Sequence, residues 1–204
     1  MGHSQADKAR NRERILQQAA AQIRDSGLES IAVGPLMRSV DLTHGGFYGH
    51  FESRSELLAQ ALERALHDGR AASRKASGLS SDQALDFQAF VRGYLSRSHR
   101  DSRKGGCAIA ALASDVARAD ERSREVMQAH IESLIARVAA ALDGSDEQAV
   151  FAVSALVGGL LLSRVATDPQ RSDAMLRAVK AGLGVAPAAR AGQSAHDHNA
   201  GESA

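Results

Sequence analysis

Four residues within eight positions, Thr43, His44, Tyr48 and His50, carry groups that hydrogen-bond to phosphate oxygens or base edges. Phe47 and Phe51 are four apart among them, so on a helix they share a face and anchor it to a small core. The polar set then turns outward. A different chemistry is offered by Cys107, the single cysteine, which follows Arg103-Lys104-Gly105-Gly106 at an expected helix N-terminus. Nearby cations and a helix N-terminus favour the reactive form of a thiol. With no second cysteine, any redox product is an adduct, a sulfenic acid or an interchain disulfide. The competing reading of Cys107 is a small buried apolar residue.

Other candidates are weaker. Phe90, Tyr94, Met127, His130 and Phe151, with Phe87 and Leu134 beside them, could line a ligand pocket between helices, or simply pack a core. A small helical enzyme could begin only from Cys107 with His99 or His130. The chain has no Gly-x-Ser-x-Gly elbow, phosphate-binding loop, His-Glu-x-x-His or Cys-x-x-Cys. His196 and His198 are too isolated for a metal site, so neither a metal nor a cofactor is expected.

The elements that hold these groups are read as helices. The chain has 204 residues, enough for a sizeable core, and aromatic residues make up only 3%. Abundant Ala and Leu favour helices over sheets. One cysteine fits a reducing compartment. No signal peptide is visible, and the longest apolar run, Ala155 to Leu162, is about half a membrane span, so a cytoplasmic protein without a membrane partner is expected. A net charge of +1 gives no global push toward nucleic acid. Before residue 25, however, Lys8, Arg10, Arg12, Arg14 and Arg24 outnumber Asp7 and Glu13, and that excess could meet phosphate.

Ile15, Leu16, Ala19, Ala20 and Ile23 mark a first helix over Lys8 to Ser26, stopped by Gly27. Gly34-Pro35 opens a second, with proline at its first position. Asp41 and Leu42 supply the turn before the short polar helix. Ser53 with Glu56 makes a capping box for a longer fourth helix, to about Arg74. Further helices follow from the stripe Phe87, Phe90, Val91, Tyr94 and Leu95, capped by Ser81 or Asp82, and, after a basic loop from Arg97 to Gly106, from Cys107 to Arg118. Another runs from Met127 to Leu142, closed by Gly144. The next, capped by Ser145 or Asp146 and reaching about Thr167, is apolar nearly all round from Phe151 to Leu162, with Gly158-Gly159 inside it. Such a helix must be covered on every side, often by a partner chain. A homodimer is therefore expected through the last two helices, at Phe151, Leu156, Gly158, Gly159, Leu162, Met175 and Val179. The expected layout is all-α with about nine helices: 1–52 a helix-turn-helix DNA-binding domain, 53–185 a helical ligand-binding and dimerisation domain (53–75 its linking helix), and 186–204 a disordered tail.

The segment VDLTHGGFYGHFESRSELL closely resembles the DNA-binding signature of the TetR family of bacterial transcriptional regulators, with the match good over about Glu13 to Leu66. The resemblance implies that Thr43 and His44 open a recognition helix in the major groove. It also implies that Tyr48 and His50 hydrogen-bond phosphates, and that Arg54 clamps one at the start of the fourth helix. Asp41 replaces the usual turn glycine, and Ala32 to Pro35 replace the family's usual polar helix start, a role Arg38 can take over. Gly46 and Gly49 bring no side chain to bases, so readout falls to Thr43, His44, Tyr48 and DNA shape. The function implied is a dimeric repressor on a palindromic operator, released by a small molecule or by thiol modification. A helical homodimeric interaction module, or a small helical enzyme, is the alternative.

Overall fold

The structure, a computed structural model, describes residues 5–76, 84–102 and 105–185. The tail 186–204, the caps Ser81 and Asp82, and the cations Arg103 and Lys104 lie outside them. The fold is all-α, with no strand among the described residues.

Helix α1 (Gln5–Ser26) buries Ile15, Ala19, Ala20 and Ile23 completely. Gly27 ends it at φ +85°, where a Cβ would lie 2.7 Å from the Asp115 carboxylate. Leu36 and Met37 turn α2 (Val33–Ser39) inward. Pro35 is its third residue, not its first, which is harmless because the first N–H groups of a helix lack acceptors anyway. Asp41 takes the left-handed turn at φ +57°. The short polar helix is a 3-10 helix of about two turns, His44–Gly49, and three of its six residues are glycines. So poor a helix former does not propagate α geometry over this length.

Helix α3 (Arg54–Ala76) starts from Ser53, whose Oγ accepts from Glu56 N at 3.1 Å. The Glu56 carboxylate accepts from Glu52 N at 2.7 Å, one residue earlier than a standard capping box. At 22 residues α1 is almost as long as the 23-residue α3, so the first module is two long helices clasping a short pair. Helix α3 packs on α1 on one side and on α7 on the other.

Helix α4 (Phe87–Tyr94) is capped by Asp86, which accepts from Ala89 N at 2.9 Å. The stretch expected as a basic loop contains a further helix, α5 (Arg97–Asp101), because Ser96 Oγ caps it from His99 N at 3.1 Å. Then come α6 (Ala108–Val116) and α7 (Glu121–Leu142). Asp143, not Gly144, closes α7 in left-handed geometry at φ +46°. Helix α8 (Asp146–Val165) opens on the capping box of Ser145 and Gln148. Helix α9 (Pro169–Gly182) opens on Asp168 with proline first.

As a whole helix, unlike its eight-residue apolar run, α8 is long and apolar enough to cross a bilayer. It is instead packed against α7 and α9. A Cβ on Gly159 would lie 2.8 Å from Val179 Cγ2, so this glycine lets α9 approach within one subunit.

Candidate nucleic-acid interface and effector cleft

Phe47 and Phe51 are 1% and 2% exposed, with ring centroids 5.6 Å apart. They hold the 3-10 turn so that Thr43, His44 and Tyr48 face solvent, Tyr48 at 70% exposure. Arg38 is also exposed, and its guanidinium and the His44 ring both lie within 4 Å of where a Gly34 Cβ would stand. Gly46 seats the turn against Thr43 and Met37, whereas a Cβ at Gly45 or Gly49 would meet nothing within 4 Å.

His50 is half-buried, and its Nδ1 is enclosed with no partner among the described residues. Desolvation, then the charges of Lys8 and Arg12, lowers its pKa, so the ring is neutral at pH 7. Arg54 is engaged already: Nε donates to Ile31 O at 3.1 Å, and Nη2 pairs with Glu29 at 3.2 Å. The Glu29 carboxylate is almost fully exposed, and so solvated a pair is readily exchanged for a phosphate.

The basic excess near the start is largely spent within the fold. Arg10 pairs with Asp7, Arg12 with Glu56 at 3.5 Å, Arg14 with Asp41 at 3.3 Å and Arg24 with Asp68 at 4.0 Å. Arg12 also lies 4.6 Å over the Phe51 ring. Among these five cations only Lys8 has no carboxylate partner among the described residues.

A narrow cleft of about 30 Å³, room for one or two waters, lies between α3, α4, α6 and α7. Its apolar side includes Leu66, Leu85, Phe90, Ile109 and Leu134, and its polar side Arg70, Arg74, His130 and Arg137. Tyr94 and Cys107 form the floor. Met127 and Phe151, expected here, are elsewhere. Met127 is buried in the core, and Phe151 stands on the outer face of α8.

Cys107 is 9% exposed and is the N-cap of α6, its Sγ accepting from Ala110 N at 3.5 Å. The Tyr94 hydroxyl donates to the same sulfur at 2.9 Å. Burial, then Cys107, pushes the Tyr94 pKa up, so the phenol keeps its proton. Cys107 N donates to His99 Nε2 at 3.0 Å, and His99 Nδ1 lies 2.6 Å from Tyr94 O. That arrangement requires neutral His99 with its proton on Nδ1, and burial depresses its pKa accordingly. Gly106 has no room for a side chain: a Cβ would be 2.3 Å from Ser102 O. Gly69 of α3 crosses this loop, 3.0 Å from Gly106 O by the same measure. The sequence offered Cys107 with His99 or His130; His99 is the one beside it, and the Tyr94 hydroxyl on the sulfur was not foreseen.

Two further contacts went unforeseen. Asp115, near the far end of α6, accepts from Leu28 N at 3.1 Å, and Asp120 accepts from Ser55 Oγ at 2.7 Å. The first ties α6 to the segment after α1, and the second ties the N-cap of α7 to the start of α3. The one sequence signal for Asp115 was Gly27, whose absent side chain admits it.

On α8, Phe151, Leu162 and Val165 are 66%, 59% and 71% exposed, with Val150 and Leu161 beside them. Gly158 opens on the same helix with nothing near it. Leu156 and Gly159, expected at a dimer interface, are instead buried within the chain, where α9 and the core cover them. Met175 and Val179 are half-buried on α9. Among the described residues no three metal-ligating groups cluster.

Residues 84–181 match the family model described as the C-terminal domain of LmrA/YxaF-like transcriptional regulators. An uncharacterized HTH-type transcriptional regulator of Mycobacterium tuberculosis is 30% identical over 176 residues, covering 77% of this chain and 86% of the relative. Among solved structures, a TetR-family regulator from Cytophaga hutchinsonii superposes with a TM-score of 0.73 at 16% identity, over 90% of this chain and 97% of that one. Reduced Escherichia coli NemR gives 0.69 at 20% identity, over 88% and 100%. Helix-turn-helix core, exposed polar turn, helical second domain and these relatives agree: the chain belongs to the TetR family of transcriptional regulators and is not an enzyme.

Proposed function

We propose that this regulator is a homodimeric repressor that grips a palindromic operator and is released when its cleft is occupied or Cys107 is modified. The observation that carries the signalling half is the span of α6. Cys107 caps one end of it at the cleft floor, and Asp115 near the other end holds Leu28 of the DNA-binding domain. A cleft with room for one or two waters must widen to take a ligand. Widening displaces α6 and loosens its hold on Leu28. The ligand acts only through its better fit to the displaced state. Thr43, His44 and Tyr48 read the major groove, with Arg38, His50 and Arg54 on phosphates. Paired recognition turns then sit about 34 Å apart, one helical turn of DNA.

The exposed apolar face of α8 supports the dimer, since so large an outward patch on a soluble fold marks a protein interface. Phe151, Leu162 and Val165 are its core, with Gly158, Met175 and Val179 at its margin.

The test is salt-dependent binding to the duplex upstream of the protein's own gene. Tyr48→Ala with His50→Ala is expected to weaken binding at least tenfold while leaving the protein folded. Unchanged affinity overturns the DNA-contact assignment.

A further inference from the structure

Three cations converge on the effector cleft without an acidic lining residue. Arg70 and Arg74 sit four apart on α3, and Arg137 reaches in from α7. Like charges at that spacing repel, and a third cation adds to the repulsion. Desolvation, then Arg70 and Arg74, pushes Arg137 down to about 10. His130, beside them on α7, is depressed by desolvation, then by Arg137 and Arg70, and so brings a neutral ring at pH 7. Among the described residues no carboxylate pairs with Arg70 or Arg137; the Arg137 Nε donates to Ser133 O at 3.1 Å. Several arginines elsewhere are matched with acids: Arg100 and Arg97 share Asp173, and Arg64 holds Glu13 and Asp68. Arg70 and Arg137, with no acid of their own on the rim of an apolar slot, form a receptor for charge that arrives from outside.

We propose that the cleft takes an amphipathic anion, its charged head held by Arg70 and Arg137 and its apolar tail lying along Leu85, Phe90 and Leu134. This rests on reading the cleft as the effector site. A guanidinium offers a fork of donors that matches a carboxylate with two parallel hydrogen bonds. Binding of the head removes the repulsion among the arginines, so the anion stabilises the occupied state through groups that strain the empty one. The tail wedges the slot open toward Tyr94 and Cys107, at the start of α6.

The experiment compares decanoate with decanol, equal in chain length, by titration calorimetry on the full chain without DNA, below micelle-forming concentrations. Decanoate is expected to bind at least tenfold more tightly, and Arg137→Gln and Arg70→Gln are each expected to erase that preference. Because Arg137 is a desolvated cation among like charges, Arg137→Gln is also expected to leave the melting temperature unchanged or raise it, which separates lost recognition from lost folding. Equal binding of the two ligands, or a preference that survives both substitutions, overturns the anion site. Release of the operator duplex is then measured separately. Decanoate that binds with the preference yet leaves DNA bound upholds the anion site and overturns the effector reading. Release by decanol alone does the reverse.

Discussion

The polar turn at His44–Gly49 and the loop that carries Cys107 use the same residue types for opposite ends. In the turn, Thr43, His44 and Tyr48 face water, and Gly45 and Gly49 have open space where a Cβ would be. In the loop, Tyr94, His99 and Cys107 satisfy one another out of water, and Gly106 is closed in on three sides by Ser102, His99 and Arg164. One region leaves its hydrogen-bonding groups open to water. The other has already paired its own. Substitutions should therefore change binding at the turn and stability at the loop.

The sharpest way to break that contrast is Gly106→Ala. Its new methyl would strike the Ser102 carbonyl, which is backbone and cannot swing aside. A loss of about 3 kcal/mol is expected, roughly 6–12 °C in Tm for a chain of this size, read by thermal denaturation. An unchanged Tm would remove the claim that the loop is closed. Acid should act next. His99 is held neutral, so its contribution is complete above about pH 6.5, the ordinary histidine value, and is lost as pH falls through the depressed folded value. His50 and His130 are shifted the same way by desolvation first and add to the same limb. Urea denaturation at pH 7.5 and at pH 5 should show the loss, and His99→Gln should flatten it. An acid limb identical in wild type and His99→Gln would show that the ring is not buried neutral.

Tyr94→Phe removes only the hydroxyl that donates to Cys107, and about 1 kcal/mol is expected. The same variant should make Cys107 react faster with a thiol-specific reagent, because the phenol covers the sulfur. Equal labelling rates would argue that Tyr94 does not guard it. Smallest of all is Gly45→Ala, with stability unchanged or raised by up to about 1 kcal/mol from helix propensity. Its operator affinity, measured alongside by fluorescence anisotropy, should fall, since the added methyl stands on the open face. A drop in Tm without a drop in affinity would invert the comparison.

The all-α fold was legible because periodic apolar positions, such as Ile15 to Ile23 and Phe87 to Tyr94, carry it locally. Caps at Ser53 and Ser145, and the left-handed Asp41, were legible for the same reason: each is decided within four residues. What stayed hidden depends on distant partners. Nothing near Arg12 says that its guanidinium stacks on Phe51 and pairs with Glu56, so the basic start looked freer than it is. Nothing near Leu156 or Gly159 says that α9 covers them while Phe151 and Leu162 stay bare. The arginines of the cleft lie on two helices some sixty residues apart, and each alone reads as a solvated face.

The contact of Asp115 with Leu28 sets a scale for how easily α6 parts from the segment after α1. It is one hydrogen bond to a carboxylate near the surface, worth about 2 kcal/mol. On the proposed mechanism, a latch of that strength holds a closed form over an open one by roughly thirtyfold at equilibrium. On the same mechanism a signal molecule has little to overcome, and weak binding at modest concentration is enough to tip the balance. The protein so proposed is tuned for sensitivity, and a residual few per cent of open molecules is the background it leaves when no signal is present.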